Sequence, residues 1–122
     1  VLYGEQSKYR DPIVYEEQTR YQKIVITKWK NNYWLFLNGS EQFSTYDEER
    51  YHEPLIHPAM TLAKERKQIL VLGGGDGLAV REILKYSKVQ SIDLVDLDPA
   101  ITKLAQTHKI FLNVNKSKRF SR

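Results

Sequence analysis

The 122 residues carry 41% hydrophobic and 28% charged side chains, a globular mixture that excludes a disordered chain and bounds it to one modest domain or two partial ones. Cysteine is absent, which excludes disulfides and thiolate metal sites, and His52, His57 and His108 lack H-x-x-x-H or H-E-x-x-H spacing, so no metal site is expected. The net charge of +4 raises the question of nucleic acid, but much of the excess crowds into a short tail, Lys116, Lys118, Arg119 and Arg122, rather than spreading with aromatics over one face, which reads as a solvated tail.

No apolar run is long enough to span a membrane, and no signal-peptide pattern opens the chain, so no membrane contact by this segment is expected. The first residue is not Met, as in a segment cut from something longer. Residues 1–12 are polar and read as an N-terminal arm. From Ile13 to about Phe43 the texture is that of strands. Ile24, Ile26 and Lys28 alternate with Val25, Thr27 and Trp29, and the run is rich in β-branched and aromatic residues. Asn31-Asn32 offers a tight turn, Tyr33–Leu37 a second strand, Asn38-Gly39 a hairpin turn and Gln42-Phe43 a short third strand.

Asp47 is placed to cap a helix opening on Glu48 and Glu49, with Tyr51, Leu55 and Ile56 on one side. Pro54 and Pro58 break that pattern into two short turns. Ile69–Leu72 and Ser91–Val95 are apolar runs of the kind found in buried parallel strands. Between them stand Gly73-Gly74-Gly75-Asp76-Gly77 and a helix over Leu78–Tyr86. Pro99 suits the first position of a helix reaching Ala105, and the last dozen residues show no pattern. The fold class is α/β: a β-meander over 13–46, a helical linker over 47–67 and the truncated start of a Rossmann-like sheet of class I methyltransferase type over 68–122.

Strand, glycine loop, helix, strand and acid is an order that holds a nucleoside. Gly73, Gly75 and Gly77 let backbone approach a ligand, and Asp96 ends the second strand where two ribose hydroxyls can donate to it. Leu78 stands where a dinucleotide fingerprint wants its third glycine, which favours a nucleoside without a pyrophosphate over NAD. Asp76 has two open readings, a partner for a cationic substrate group or a cap on the following helix. The acidic cluster of Asp47, Glu48, Glu49 and Glu53 fits an exposed helix face, and Tyr51-His52-Glu53 gathers groups useful to an amine.

In their order, Tyr21-Gln22, Leu37-Asn38-Gly39, Gln42, Asp47-Glu48, Tyr51-His52-Glu53 and Gly73–Gly77 resemble the polyamine aminopropyltransferases, the spermidine synthase family. Residues 72–82 and 94–99 are most similar to the branch that carries an N-terminal membrane domain, which implies a chain from downstream of those spans, in a cytoplasmic setting. The resemblance implies transfer of an aminopropyl group from decarboxylated S-adenosylmethionine, a co-substrate and not a tightly bound cofactor, to putrescine or a related amine, leaving methylthioadenosine. It implies nucleoside contacts from Gln22, Gly73, Gly75, Gly77 and Asp96, and amine contacts from His52 and Asp76, with Tyr51 and Gln42 as weaker contributors. Asp96 stands where many members have Glu. The family's catalytic Asp is expected beyond Arg122, so no catalytic residue is assigned and the chain alone should be a poor catalyst. The partners implied are a polyamine, a nucleoside and further copies of the chain, paired through the β-domain; nucleic acid is not among them. Two competing readings are an S-adenosylmethionine-dependent methyltransferase, which leaves the meander unexplained, and a non-catalytic nucleoside-binding or oligomerisation fragment.

Overall fold

A computed structural model describes residues 2–115; Lys116, Lys118, Arg119 and Arg122 lie outside the described residues. The chain divides into two units, Val1–Glu48 and Glu49–Arg122.

In the first unit, helix α1 (Leu2–Gln6) precedes four antiparallel strands, β1 (Ile13–Gln18), β2 (Lys23–Trp29), β3 (Asn32–Leu37) and β4 (Ser40–Ser44), ordered β1-β2-β3-β4. The stretch expected as an arm is instead partly helical and tied to the sheet. Gln6 accepts from the Ile13 amide at 2.9 Å and donates to the Asp11 carbonyl at 2.9 Å, while the Tyr9 ring meets Phe36 edge-on at 4.9 Å. Asn38 and Gly39 take φ of 50° and 80°, the pair of positive angles that a two-residue hairpin requires. The preceding turn falls one residue earlier than expected, on Lys30-Asn31. The ladder from Ile24↔Leu37 to Trp29↔Asn32 draws Asn32 into β3, and Lys30 takes the positive φ of 54°. The alternation expected along β2 is absent: Ile24, Val25, Ile26 and Thr27 are all buried, on both faces of an inner strand.

The second unit runs α2 (Glu49–Leu62), β5 (Gln68–Leu72), α3 (Leu78–Ile83), β6 (Ser91–Val95), α4 (Pro99–Thr107) and α5 (Lys109–Asn115). Helix α2 is continuous through Pro54 and Pro58, against the expectation of two short turns. The two prolines lie four residues apart on the exposed side, so the carbonyls that lose a donor there can be solvated. Its inner stripe is His52, Ile56 and Met60, whereas Tyr51 and Leu55, expected on one side with Ile56, are exposed. Asp47 accepts from the Ser44 hydroxyl at 2.7 Å, and the helix starts two residues later.

Strands β5 and β6 pair in parallel, Gln68↔Ser91 through Leu72↔Val95. They are not the fully buried strands expected. Ile69, Val71, Ile92 and Leu94 are half-buried, but Leu70, Leu72 and Val95 on the other face are 61%, 77% and 57% exposed. Helix α3 ends at Ile83, sooner than expected, and α4 extends to Thr107. Helix α5 runs into the patternless tail and buries Ile110 and Phe111 beside the Ile101, Leu104 and Ala105 core positions of α4. Fully burying such aliphatic and aromatic side chains contributes about 1.5–3 kcal/mol each.

A Cβ at Gly39 would meet no atom within 4 Å, so only its positive φ opposes substitution. Gly39→Val is expected to lower stability by about 1–2 kcal/mol, seen as a lower urea midpoint with unchanged slope.

Candidate functional site

The carboxyl ends of β5 and β6 carry the site. The Gly73 amide donates to the Val95 carbonyl at 2.7 Å, holding the two strand ends together as the chain leaves β5. Gly73, Gly74 and Gly77 adopt φ of 79°, 69° and 84°, left-handed backbone that other residues resist. The Gly77 amide donates to the Gly74 carbonyl at 3.0 Å and closes the loop onto α3.

Gly75 has another reason to be glycine. Its amide donates to Asp96 Oδ2 at 2.8 Å, and a Cβ there would lie 2.8 Å from that oxygen and 3.1 Å from the Thr102 hydroxyl. Asp96 Oδ1 accepts from the Asp98 amide at 3.0 Å, so one carboxylate ties the glycine loop to the turn after β6. Each carboxylate oxygen retains a second lone pair directed elsewhere. Asp98, buried, accepts from the Ala100 amide at 3.0 Å and caps α4 ahead of Pro99; an Asp-Pro pair opening a helix signals that role in sequence.

Asp76, just before the Gly77 N-cap of α3, also bonds locally: its Oδ1 accepts from the Leu78 amide at 3.0 Å. The structure thus brings Gly73, Gly75, Gly77, Asp76 and Asp96 to one end of the parallel pair. Tyr51 and His52 form a separate pair on α2, the Tyr51 ring exposed and edge-on to the buried His52 ring at 5.0 Å. Gln22 and Gln42 belong to the first unit. Gln22 lies in the β1–β2 turn, where its amide donates to the Thr19 hydroxyl, and Gln42 is exposed on β4 with its side chain donating to the Ser40 carbonyl.

Sequence reasoning missed a buried carboxylate. Glu82 on α3 is 1% exposed and takes Arg81 Nη2 at 2.9 Å, Lys85 Nζ at 2.6 Å and His57 Nε2 at 2.9 Å. The other His57 nitrogen, Nδ1, lies 2.6 Å from the Tyr86 hydroxyl. Since an ionised Glu82 only accepts, His57 Nε2 is the donor in that bond. Burial pushes the Glu82 carboxyl up, but the bonds from Lys85, Arg81 and His57 together outweigh it and hold the group below its ordinary value of 4.5. The i, i+3 spacing of Glu82 and Lys85 was visible in sequence; His57, 25 residues away, was not. Among the described residues no group of three or more His, Asp or Glu side chains is arranged to hold a metal.

Residues 48–120 match the spermine/spermidine synthase domain, more than half of the chain, and the chain belongs to that family. It is 56% identical over 114 residues to a polyamine aminopropyltransferase of Leptospira interrogans and 48% identical over 112 residues to one of Oceanobacillus iheyensis. Those alignments cover 93% and 92% of this chain but 23% and 22% of the relatives, so the chain spans under a quarter of their length. Among solved structures, a spermidine synthase in complex with the transition-state analogue AdoDATO superposes with a TM-score of 0.78 at 30% identity, covering 85% of this chain and 36% of that one. The spermidine synthase of Thermotoga maritima gives 0.77 at 30% identity, covering 88% and 39%.

Because the Glu82 carboxyl is depressed in the folded state, its stabilisation is complete above pH 4.5 and is lost as pH falls through the lower folded value. Glu82→Gln is expected to cost about 3–5 kcal/mol at neutral pH, with the difference from the parent shrinking on acidification below pH 4.5 in denaturant titrations. Gly75→Ala should displace the Asp96 carboxylate and cost about 1–3 kcal/mol, measured by thermal unfolding.

Proposed function

We propose that this chain carries the nucleoside-holding part of a polyamine aminopropyltransferase, the site at which decarboxylated S-adenosylmethionine is gripped while its aminopropyl group passes to putrescine or a related amine. One observation supports this above the others: a positive-φ glycine loop whose Gly75 amide holds the Asp96 carboxylate at the carboxyl end of two parallel strands. A carboxylate held by one lone pair per oxygen keeps the others for a ribose diol. The loop itself carries an acid, Asp76, and no base, a poor cradle for pyrophosphate and a suitable neighbour for a sulfonium or an ammonium group.

In the reaction an amine nitrogen attacks the carbon next to the sulfonium, the carbon–sulfur bond breaks with its electrons going to sulfur, and methylthioadenosine leaves. The amine's proton goes to a base. Such a displacement needs both partners held in line, and anions that orient cations serve that end. Asp96 and the glycine loop are assigned to the nucleoside. Asp76 is assigned to the cationic side, where its bond to the Leu78 amide fixes the carboxylate's direction. His52 and Tyr51 are assigned to the amine through the family pattern they share. Location in the cytoplasm and assembly into oligomers belong to the same reading; no helix among the described residues is long and apolar enough to cross a membrane.

Calorimetric titration with methylthioadenosine, and with NAD as control, tests the reading. Saturable binding of methylthioadenosine alone, abolished by Asp96→Ala, is expected. Binding of NAD in its place would overturn the assignment.

A further inference from the structure

The peptide joining Asp76 to Gly77 is gripped at both ends. Its N–H, from Gly77, donates to the Gly74 carbonyl at 3.0 Å, and its C=O, from Asp76, accepts from the Asn115 side-chain amide at 3.0 Å. Glycine at 77 permits either sign of φ, so this peptide plane could flip at little steric cost and re-aim Asp76. The observed φ of 84° is therefore selected by what holds the plane.

Asn115 is 3% exposed, and its Oδ1 is buried with no hydrogen-bond partner among the described residues. The amide orientation is forced, because only its nitrogen can donate to a carbonyl. An apolar side chain of similar size would remove the Oδ1 but would also leave the Asp76 carbonyl without its donor.

The end of α5 is itself held in place. Arg81 Nη1 donates to the Val114 carbonyl at 3.1 Å, while the same guanidinium bonds Glu82 through Nε at 3.2 Å and Nη2 at 2.9 Å. A continuous set of contacts therefore runs from buried Glu82 through Arg81 and Val114 to Asn115, and from Asn115 to the glycine loop.

We propose that Asn115 is a positioning residue: set by Arg81, its amide fixes the Asp76–Gly77 peptide and so aims the Asp76 carboxylate and presents the loop to its ligand. The ligand part of this rests on the nucleoside and amine reading above.

The test compares the parent chain with Asn115→Leu and with the isosteric Asn115→Asp, which cannot donate when ionised. Amide hydrogen exchange across residues 74–78, thermal unfolding and titration with methylthioadenosine are measured on each. In Asn115→Leu the Gly77 amide should exchange at least about tenfold faster and methylthioadenosine bind about tenfold more weakly, with amides away from the loop little changed. Asn115→Asp should show the same loss at the loop.

Unchanged loop exchange would overturn the proposal. So would equal acceleration of every amide in the second unit, or failure of both variants to fold, since either makes Asn115 merely structural. If the parent binds no methylthioadenosine but Gly77 still exchanges faster in the variants, the nucleoside reading fails and the positioning role stands.

Discussion

Gly75 and Asp96 occupy each other's space. The carboxylate just after β6 accepts from the Gly75 amide at 2.8 Å, and a Cβ at 75 would lie 2.8 Å from the same oxygen, so a side chain there would push the carboxylate aside. The site depends on this exclusion. It brings the loop after β5 against the turn after β6, and with the Asp98 amide on its other oxygen the carboxylate sets the chain's path into α4. A polar side chain ties two connections that neither strand pairing nor helix packing would join.

Glu82 performs a comparable task deeper in the same unit. A carboxylate 1% exposed would be costly if unpaired, so the fold surrounds it with Arg81, Lys85 and His57. Those partners bring α2 and α3 together through His57 and tie α3 to α5 through Arg81. The network therefore places the elements on which the loop rests, and its loss on acidification should be felt across the second unit. The open face of β5 and β6 contrasts with it: Leu70, Leu72 and Val95 are apolar and exposed on a sheet that has two strands among the described residues.

Membership of the spermine/spermidine synthase domain family was readable from motifs whose backbone requirements are local. A run of glycines before a helix declares positive φ, Asn-Gly declares a hairpin, and an acid closing the next strand marks the carboxyl end of a parallel pair. The same local logic misplaced α2. Proline argued for a break because its missing donor is a local fact, whereas continuity depends on whether the stranded carbonyls face solvent, which only packing sets. It likewise put Tyr51 and Leu55 on one side with Ile56, whereas Ile56 shares its inner side with His52 and Met60.

What the sequence by itself determined is the order of elements and the chemistry of the loop, because φ preferences, turn residues and strand-ending acids act within a few residues. What the tertiary structure decided is which distant groups meet: His57 with Glu82 across 25 residues, and Asn115 with Asp76 across 39. Hydrogen bonds of that separation leave no periodicity in the chain. They form only once helices have packed, when a buried donor or acceptor must find whatever partner the fold has brought within reach.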